Sequence, residues 1–224
     1  MRRAAATIED DAYARAVVQL MSSYLHVMLI EPEQAAAVSA QGIATTAEHG
    51  FRQVAWWVQM PHGWAQAQLG HPDEGASSIR ETLTAYRAIG SVFLVPVFLT
   101  WLAEAQALGG APADGLRTLD EALTLNPDER FWRPETLRVR DEIRRRQGEE
   151  ELAEADFRGA IALAQEMSAR AWELRAATSL AWLWRDQGRP AEARDLLAPV
   201  YGWFTEGFDT PDLKQAKSLL DQIS

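Results

Sequence analysis

The sequence contains no cysteine, which excludes disulfide bonds, thiolate metal sites and cysteine nucleophiles. No stretch of about 18 uninterrupted apolar residues occurs, so we predict no membrane-spanning helix. The start, Met1-Arg2-Arg3 and three alanines, lacks the apolar run and the cleavage site of a secretion signal. We therefore expect a cytoplasmic location.

Basic residues are fewer than acidic residues. The 22 Lys and Arg residues face 32 Asp and Glu residues, which gives a formal net charge of −10. An average field of this sign repels nucleic-acid phosphates and anionic lipid surfaces. We predict neither a nucleic acid nor a membrane as the partner.

Motifs for catalysis are also missing. The sequence has no G-x-x-x-x-G-K-[ST] phosphate loop, and Ser77-Ser78 has no nucleophile-elbow sequence around it. The acidic run at 149–151 opens a predicted helix, where the helix dipole stabilises negative charge. No metal-ligand spacing relates the four histidines, which are His26, His49, His62 and His71. We predict a protein that is not an enzyme, with no cofactor and no metal.

What the sequence does contain is a repeat. A small residue recurs at intervals of 40, 40, 38 and 40, a bulkier one follows four residues later, and a third follows three beyond that. This i, i+4, i+7 rhythm marks one face of a helix. The three sets are Ala35, Gly75, Gly115, Ala153 and Ala193; Ser39, Ile79, Leu119, Phe157 and Leu197; and Gly42, Thr82, Ala122, Ala160 and Val200.

Helix breaks fall at matching places in each repeat. Prolines and glycines predict helices at about 8–29, 32–48, 52–69, 72–89, 92–108, 113–125, 131–147, 149–166, 169–187 and 190–205. Gly50, Gly90 and the run at 126–128 separate the pairs. The junction at 167–169 is weak, and Ser168 is its predicted N-cap.

The end of the chain differs from the repeats. Thr210 is the predicted N-cap of a helix that begins at Pro211, with an apolar stripe at Leu213, Ala216, Leu219, Leu220 and Ile223. Such a helix covers the last repeat of a helical array. We expect one domain over 1–224, with repeats at about 8–50, 51–90, 91–129, 130–167 and 168–208 and a cap at 210–223.

Helical hairpins of forty residues with these small–bulky–small faces resemble tetratricopeptide (TPR) repeats. The predicted fold is all-α, a TPR-like right-handed α-solenoid of five hairpins plus a C-terminal capping helix. The stretch 175–220, above all GWFTEGFDT at 202–210, is similar to the C-terminal repeats of bacterial proteins that join a class III adenylate/guanylate cyclase to a STAND-type AAA ATPase. In that family the repeats are the sensor or interaction part. The resemblance therefore implies a bacterial signalling module, with a cyclase or ATPase effector in cis or in trans.

Four positions of each hairpin's first helix face the concave surface of such arrays. They lie 13, 10, 6 and 3 residues before the end of that helix. They are apolar or aromatic in the first three repeats and rich in arginine in the last two, which suits a ligand with an apolar part and an acidic end. We predict ligand contacts among them at Tyr24, Trp57, Met60, Trp64, Val97, Thr100, Glu104, Glu135, Arg138, Glu142, Arg145, Arg175 and Trp182.

Two functions are compatible with this sequence. The first is recognition of a protein segment or small effector in the groove. The second is a structural homo-oligomer that uses the tryptophans and the apolar helix at 92–108, which is either central in the stack or covered by a partner. Trp57 and Trp64 are core residues instead if the register slips by one, and Arg138 pairs with Glu135 or Glu142 if these charges satisfy each other.

Overall fold

The computed structural model describes residues 11–125 and 130–223, and within these residues it contains helices and turns but no strand. The predicted break at 126–128 and the start of the predicted first helix lie outside the described residues. Eleven helices are present in the described part. They are α1 (Ala12–Met28), α2 (Pro32–His49), α3 (Arg52–Gln68), α4 (Pro72–Ala88), α5 (Val95–Leu108), α6 (Pro112–Leu125), α7 (Arg133–Arg146), α8 (Glu150–Glu166), α9 (Arg170–Asp186), α10 (Pro190–Tyr201) and α11 (Pro211–Gln222).

The helices form five hairpins and a closing helix. We call α1, α3, α5, α7 and α9 the first helices and α2, α4, α6, α8 and α10 the second helices. The chain divides into two compact units, Met1–Asp114 and Gly115–Ser224. In the first unit α3 packs against α1, α2, α4 and α5, and in the second α9 packs against α7, α8, α10 and α11.

Every hairpin turns in the same way. The second residue after the first helix adopts a left-handed conformation, and the next N–H donates to the carbonyl five residues earlier, at 2.8–3.0 Å. Glycine fills the left-handed position in four turns, as Gly188 does with φ of 76°. In the first turn Ile30 fills it with φ of 56°, and a side chain is strained there.

The core forms where the repeat predicted it. All fifteen small–bulky–small positions are buried, including Ala35, Ser39 and Ala153, which have no exposed surface. Helix backbones approach closely at the small positions. A Cβ atom on Gly75 would lie 2.4 Å from the carbonyl oxygen of Gly63 on the neighbouring helix.

Three local predictions need correction or refinement. Ser168 is not an N-cap, because it has φ of 56° and ends the turn after α8, while Ala169 is the N-cap of α9. Thr210 is the N-cap residue of α11, as predicted, but its hydroxyl donates to the carbonyl of Gly207 and makes no hydrogen bond to the helix. Finally, α5 begins at Val95, three residues later than predicted, because Leu94 is left-handed.

Candidate functional site

In the first unit, aromatic side chains connect the first helices. The ring of Tyr24 on α1 lies 5.3 Å from the ring of Trp101 on α5 and 6.5 Å from that of Phe98. Trp57 on α3 lies 5.8 Å from Phe93, just before α5. Burial raises the pKa of Tyr24 well above its usual value. Together these rings bind α1, α3 and α5 to one another.

One hydrogen bond joins equivalent positions of two first helices. Trp64 Nε1 donates to Glu104 Oε2 at 2.9 Å, from α3 to α5. Trp64 is only 4% exposed, so its indole is largely a core group. The tryptophan and the carboxylate are therefore both engaged within the unit.

Burial separates the predicted contacts of the first unit into two groups. Tyr24, Trp57 and Glu104 are half-buried and reach the surface. The others are buried, namely Met60, Trp64, Val97 and Thr100. Most of α5 is buried as well, which matches a central place for this apolar helix.

In the second unit, an ion-pair chain ties three helices together. Arg175 on α9 contacts Asp212 at the start of α11 at 2.8 Å and Glu135 on α7 at 3.7 Å. Arg138 completes the chain with two hydrogen bonds to Glu135, at 2.8 and 2.9 Å. Burial acts to raise the pKa of Glu135, but the two arginines outweigh it and hold that pKa below the usual value. Burial does raise the pKa of Asp212, even beside Arg175.

A second group lies at the carboxyl ends of α7 and α9, and it is more open to solvent. The guanidinium of Arg185 stacks 3.9 Å from the ring centre of Trp182. Asp186 contacts Arg185 and also lies 3.9 Å from Arg145 on α7. Arg145 makes two hydrogen bonds to Glu142, which hold the pKa of Glu142 below its usual value despite burial. We call these five residues the arginine–tryptophan cluster.

The structure thus brings the predicted residues of each unit together, but with partners that the sequence did not reveal. The pairing of Arg138 with Glu135, which the sequence left open, is present. Asp212 and Asp186 were missed as partners. Asp212 carried no signal, because it lies 37 residues from Arg175 and the first turn of a helix accounts for an acid there.

These helices define the class of protein. The fold is an array of TPR-like helical hairpins closed by a capping helix, and this confirms the predicted fold class. Across 11–125 and 130–223, no helix combines the length and apolar character needed to cross a membrane.

Comparisons with known proteins agree on the fold. The crystal structure of NprR in complex with its cognate peptide NprX superposes with a TM-score of 0.73 over 95% of this chain and 60% of that one, at 12% identity. The apo form of the quorum sensor NprR from B. thuringiensis gives 0.68, with the same coverage and 13% identity. A kinesin light chain protein with nearly identical TPR-like repeats, from Podospora anserina, gives 0.56 over 93% of this chain and 96% of that one, at 14% identity.

Sequence comparison reaches less far. No protein-family model matches the chain. The uncharacterized protein R02095 of Rhizobium meliloti (strain 1021) is 26% identical over 151 residues, which make up 66% of this chain. The match spans only 15% of that relative's length.

Proposed function

We propose that this chain is a non-catalytic recognition module that binds a peptide, or another small effector, that carries a carboxylate and an apolar group. The observation that carries the proposal is the arginine–tryptophan cluster. Its two arginines are each about 30% exposed, they approach one acid, Asp186, from two helices, and one of them covers an indole ring.

The chemistry of the cluster favours such a ligand. A guanidinium group binds a carboxylate through two parallel hydrogen bonds, and these charge-assisted bonds are stronger than neutral ones. An incoming carboxylate can take the place of Asp186 between Arg145 and Arg185. If Arg185 swings toward it, the face of Trp182 becomes available for an apolar side chain.

The other predicted contacts fit this proposal in different ways. Tyr24, Trp57 and Glu104 reach the surface of the first unit and stay as proposed contacts. The chain of Glu135, Arg138, Arg175 and Asp212 is more enclosed, and its role is to hold α7, α9 and α11 in place. Support for a peptide comes from NprR, which has this fold and was crystallised with the peptide NprX.

A displayed library of random peptides tests the proposal. We expect selection on the intact chain to enrich peptides that contain an acidic residue, or a free carboxyl terminus, near a large apolar residue. Fluorescence anisotropy then gives the dissociation constant of one enriched peptide. Arg145→Ala and Arg185→Ala should each raise it by about tenfold or more, because each removes a charge-assisted hydrogen bond.

Arg158→Ala is the matched control. Arg158 also lies over an indole, 5.5 Å from the ring centre of Trp184, and pairs with Glu154, but it belongs to the second helix α8. Its removal should leave binding unchanged. The proposal is wrong if no acidic peptide is enriched, or if all three variants weaken binding equally.

On a larger scale, we propose that the module is the sensor or interaction part of a bacterial signalling system, with a cyclase or ATPase as effector. The resemblance of 175–220 supports this role, and a bacterial relative far longer than the matched region supports a place for such a module within a larger protein. Co-expression with a cyclase or ATPase, if one is encoded beside this chain, followed by an activity assay with and without the selected peptide, tests it. The alternative, a homo-oligomer built on α5, is less favoured because most of α5 is already buried.

A further inference from the structure

A cavity of about 610 Å³ opens along one side of the capping helix α11 in the second unit. Two aromatic rings line part of it. Tyr201 at the end of α10 and Phe208 in the turn before α11 lie 5.9 Å apart between ring centres. Phe208 is 47% exposed, so its ring is available to a ligand. It belongs to the segment GWFTEGFDT at 202–210, which has no part in the arginine–tryptophan cluster.

Helix α11 supplies positive charge to the same cavity. The chain has only two lysines, Lys214 and Lys217, and both line the cavity. Lys217 is paired with Asp221 one turn later, at 2.5 Å. Lys214 is exposed and has no acidic partner among the residues that the structure describes. Its ammonium group is therefore available to pair with an anion from outside the chain.

The cavity begins next to the arginine–tryptophan cluster. Gln222 lines the cavity at the end of α11, and its side-chain oxygen accepts a hydrogen bond of 2.8 Å from Arg185 Nη1. The other edge of this guanidinium, with Nε and Nη2, binds Asp186, and this is the edge that we propose for the carboxylate of the peptide. The residues next to that carboxylate in a bound peptide therefore have the cavity within reach.

We infer that the cavity is a second subsite for the proposed peptide, an inference that rests on the proposed function. The subsite takes an apolar side chain against Tyr201 and Phe208 and a second acidic side chain at Lys214. Gln222 and Lys214 are eight residues apart on α11, which is about 12 Å at about 1.5 Å per residue. An extended peptide rises about 3.3–3.6 Å per residue, so the second acid should lie about four residues from the first.

The peptides selected on the intact chain test this spacing. We expect them to carry a second Asp or Glu about four residues from the first acid, with a large apolar residue beside it. Two synthetic peptides then isolate the contact. One is an enriched sequence with both acids, and the other has its second acid replaced by the matching amide. In fluorescence anisotropy, Lys214→Gln should raise the dissociation constant of the diacidic peptide about threefold, as for an exposed ion pair, and should not change that of the amide peptide.

Two variants outside the cavity are matched controls. Arg194 is an exposed basic residue of α10 that does not line the cavity, so Arg194→Gln should affect the two peptides equally. Phe208→Ala should raise the dissociation constants of both peptides about tenfold, because it removes a ring that packs on the apolar side chain. Trp203→Ala, in the same segment but outside the cavity, should leave both unchanged.

The outcomes distinguish the second subsite from the site on which it depends. If Arg185→Ala weakens binding but Lys214→Gln does not discriminate between the two peptides, the proposed function holds and the second subsite is wrong. The subsite is also wrong if Phe208→Ala weakens binding no more than Trp203→Ala does. If no acidic peptide is enriched, the proposed function and the inference both fail.

Discussion

Trp64 and Glu104 are joined by a hydrogen bond of 2.9 Å, and they occupy the same register position in successive first helices. The equivalent position in the other first helices is occupied by Tyr24, Glu142 and Trp182. Glu135 and Arg175 occupy another pair of equivalent positions. They are likewise forty residues apart in the sequence, and they lie 3.7 Å from each other. The repeat therefore places equivalent residues of adjacent first helices side by side.

Replacing Trp64 by phenylalanine should destabilise the first unit. The change keeps a large apolar ring but leaves the part-buried hydrogen bond to Glu104 unmade, and hydrogen bonds to charged groups contribute about 1.5–3 kcal/mol. Urea unfolding should show a loss of that size in the free energy of unfolding. Trp203→Phe is the control, because Trp203 is exposed, and it should change stability by less than about 0.5 kcal/mol. An equal loss of stability in both variants would contradict the stabilising role of the hydrogen bond between Trp64 and Glu104.

Two glycine substitutions should act in opposite directions. Gly75→Ala puts a Cβ atom 2.4 Å from the carbonyl oxygen of Gly63 and 2.9 Å from the amide nitrogen of Ala67, so two helix backbones must separate. We expect a loss of about 1–3 kcal/mol or more. Gly159→Ala, in the interior of α8, meets nothing within 4 Å and should add up to about 1 kcal/mol. Thermal unfolding of the two variants measures both effects.

The strained turn at Ile30 can be relieved. Ile30 holds a left-handed conformation in the position that glycine fills in the other four hairpin turns. Ile30→Gly should raise the free energy of unfolding by up to about 1 kcal/mol, because strain of about 1–2 kcal/mol is removed at a side chain that is already 39% exposed. Ile30→Val, which keeps the branched side chain and the strain, should give no gain. A destabilised glycine variant would show that the apolar contacts of Ile30 outweigh its strain.

The sequence predicted much of the fold because the repeat pattern is local. Small and bulky residues four and three apart are enough to locate a buried face, and all fifteen such positions are buried. Ion pairs were harder to predict from the sequence, because they depend on which helices pack against each other. The link from Arg175 to Asp212 joins α9 to the capping helix, and no local pattern indicates it.

One buried acid was missed although the repeat does carry a signal for it. Seven residues before each hairpin turn, the first helices place a small residue at Ser23, Gly63, Ala103 and Ala181, all buried. In α7 that position is Asp141. When an acid replaces a small residue at such a repeated position, the sequence therefore predicts that its carboxyl group is buried where two helices pack closely.

Asp141 should make the second unit less stable as pH rises. It has no exposed surface, and no donor among the described residues bonds to its oxygens. Burial, and then the neighbouring Asp156, raise its pKa from 3.8 to about 10, although Arg140 and Arg144 oppose the shift. At neutral pH the folded state therefore keeps a proton on Asp141 that the unfolded chain releases. Stability is greatest below the unfolded pKa and falls as pH rises toward the folded pKa.

The fall should reach at most about 1.4 kcal/mol per pH unit between the two pKa values. Urea unfolding of the second unit between pH 5 and 9 measures it, and at these pH values the carboxylates with lowered pKa, such as Glu135, stay ionised. Asp141→Asn keeps the size and a donor toward Asp156 but cannot ionise, so its stability should fall much less over this range than that of the natural chain. The variant should therefore be the more stable protein at pH 9. If the free energy of unfolding of the two proteins changes in parallel with pH, Asp141 is ionised in the folded state. Its carboxylate would then need a hydrogen-bond donor that the packing of α7 on α8 does not provide.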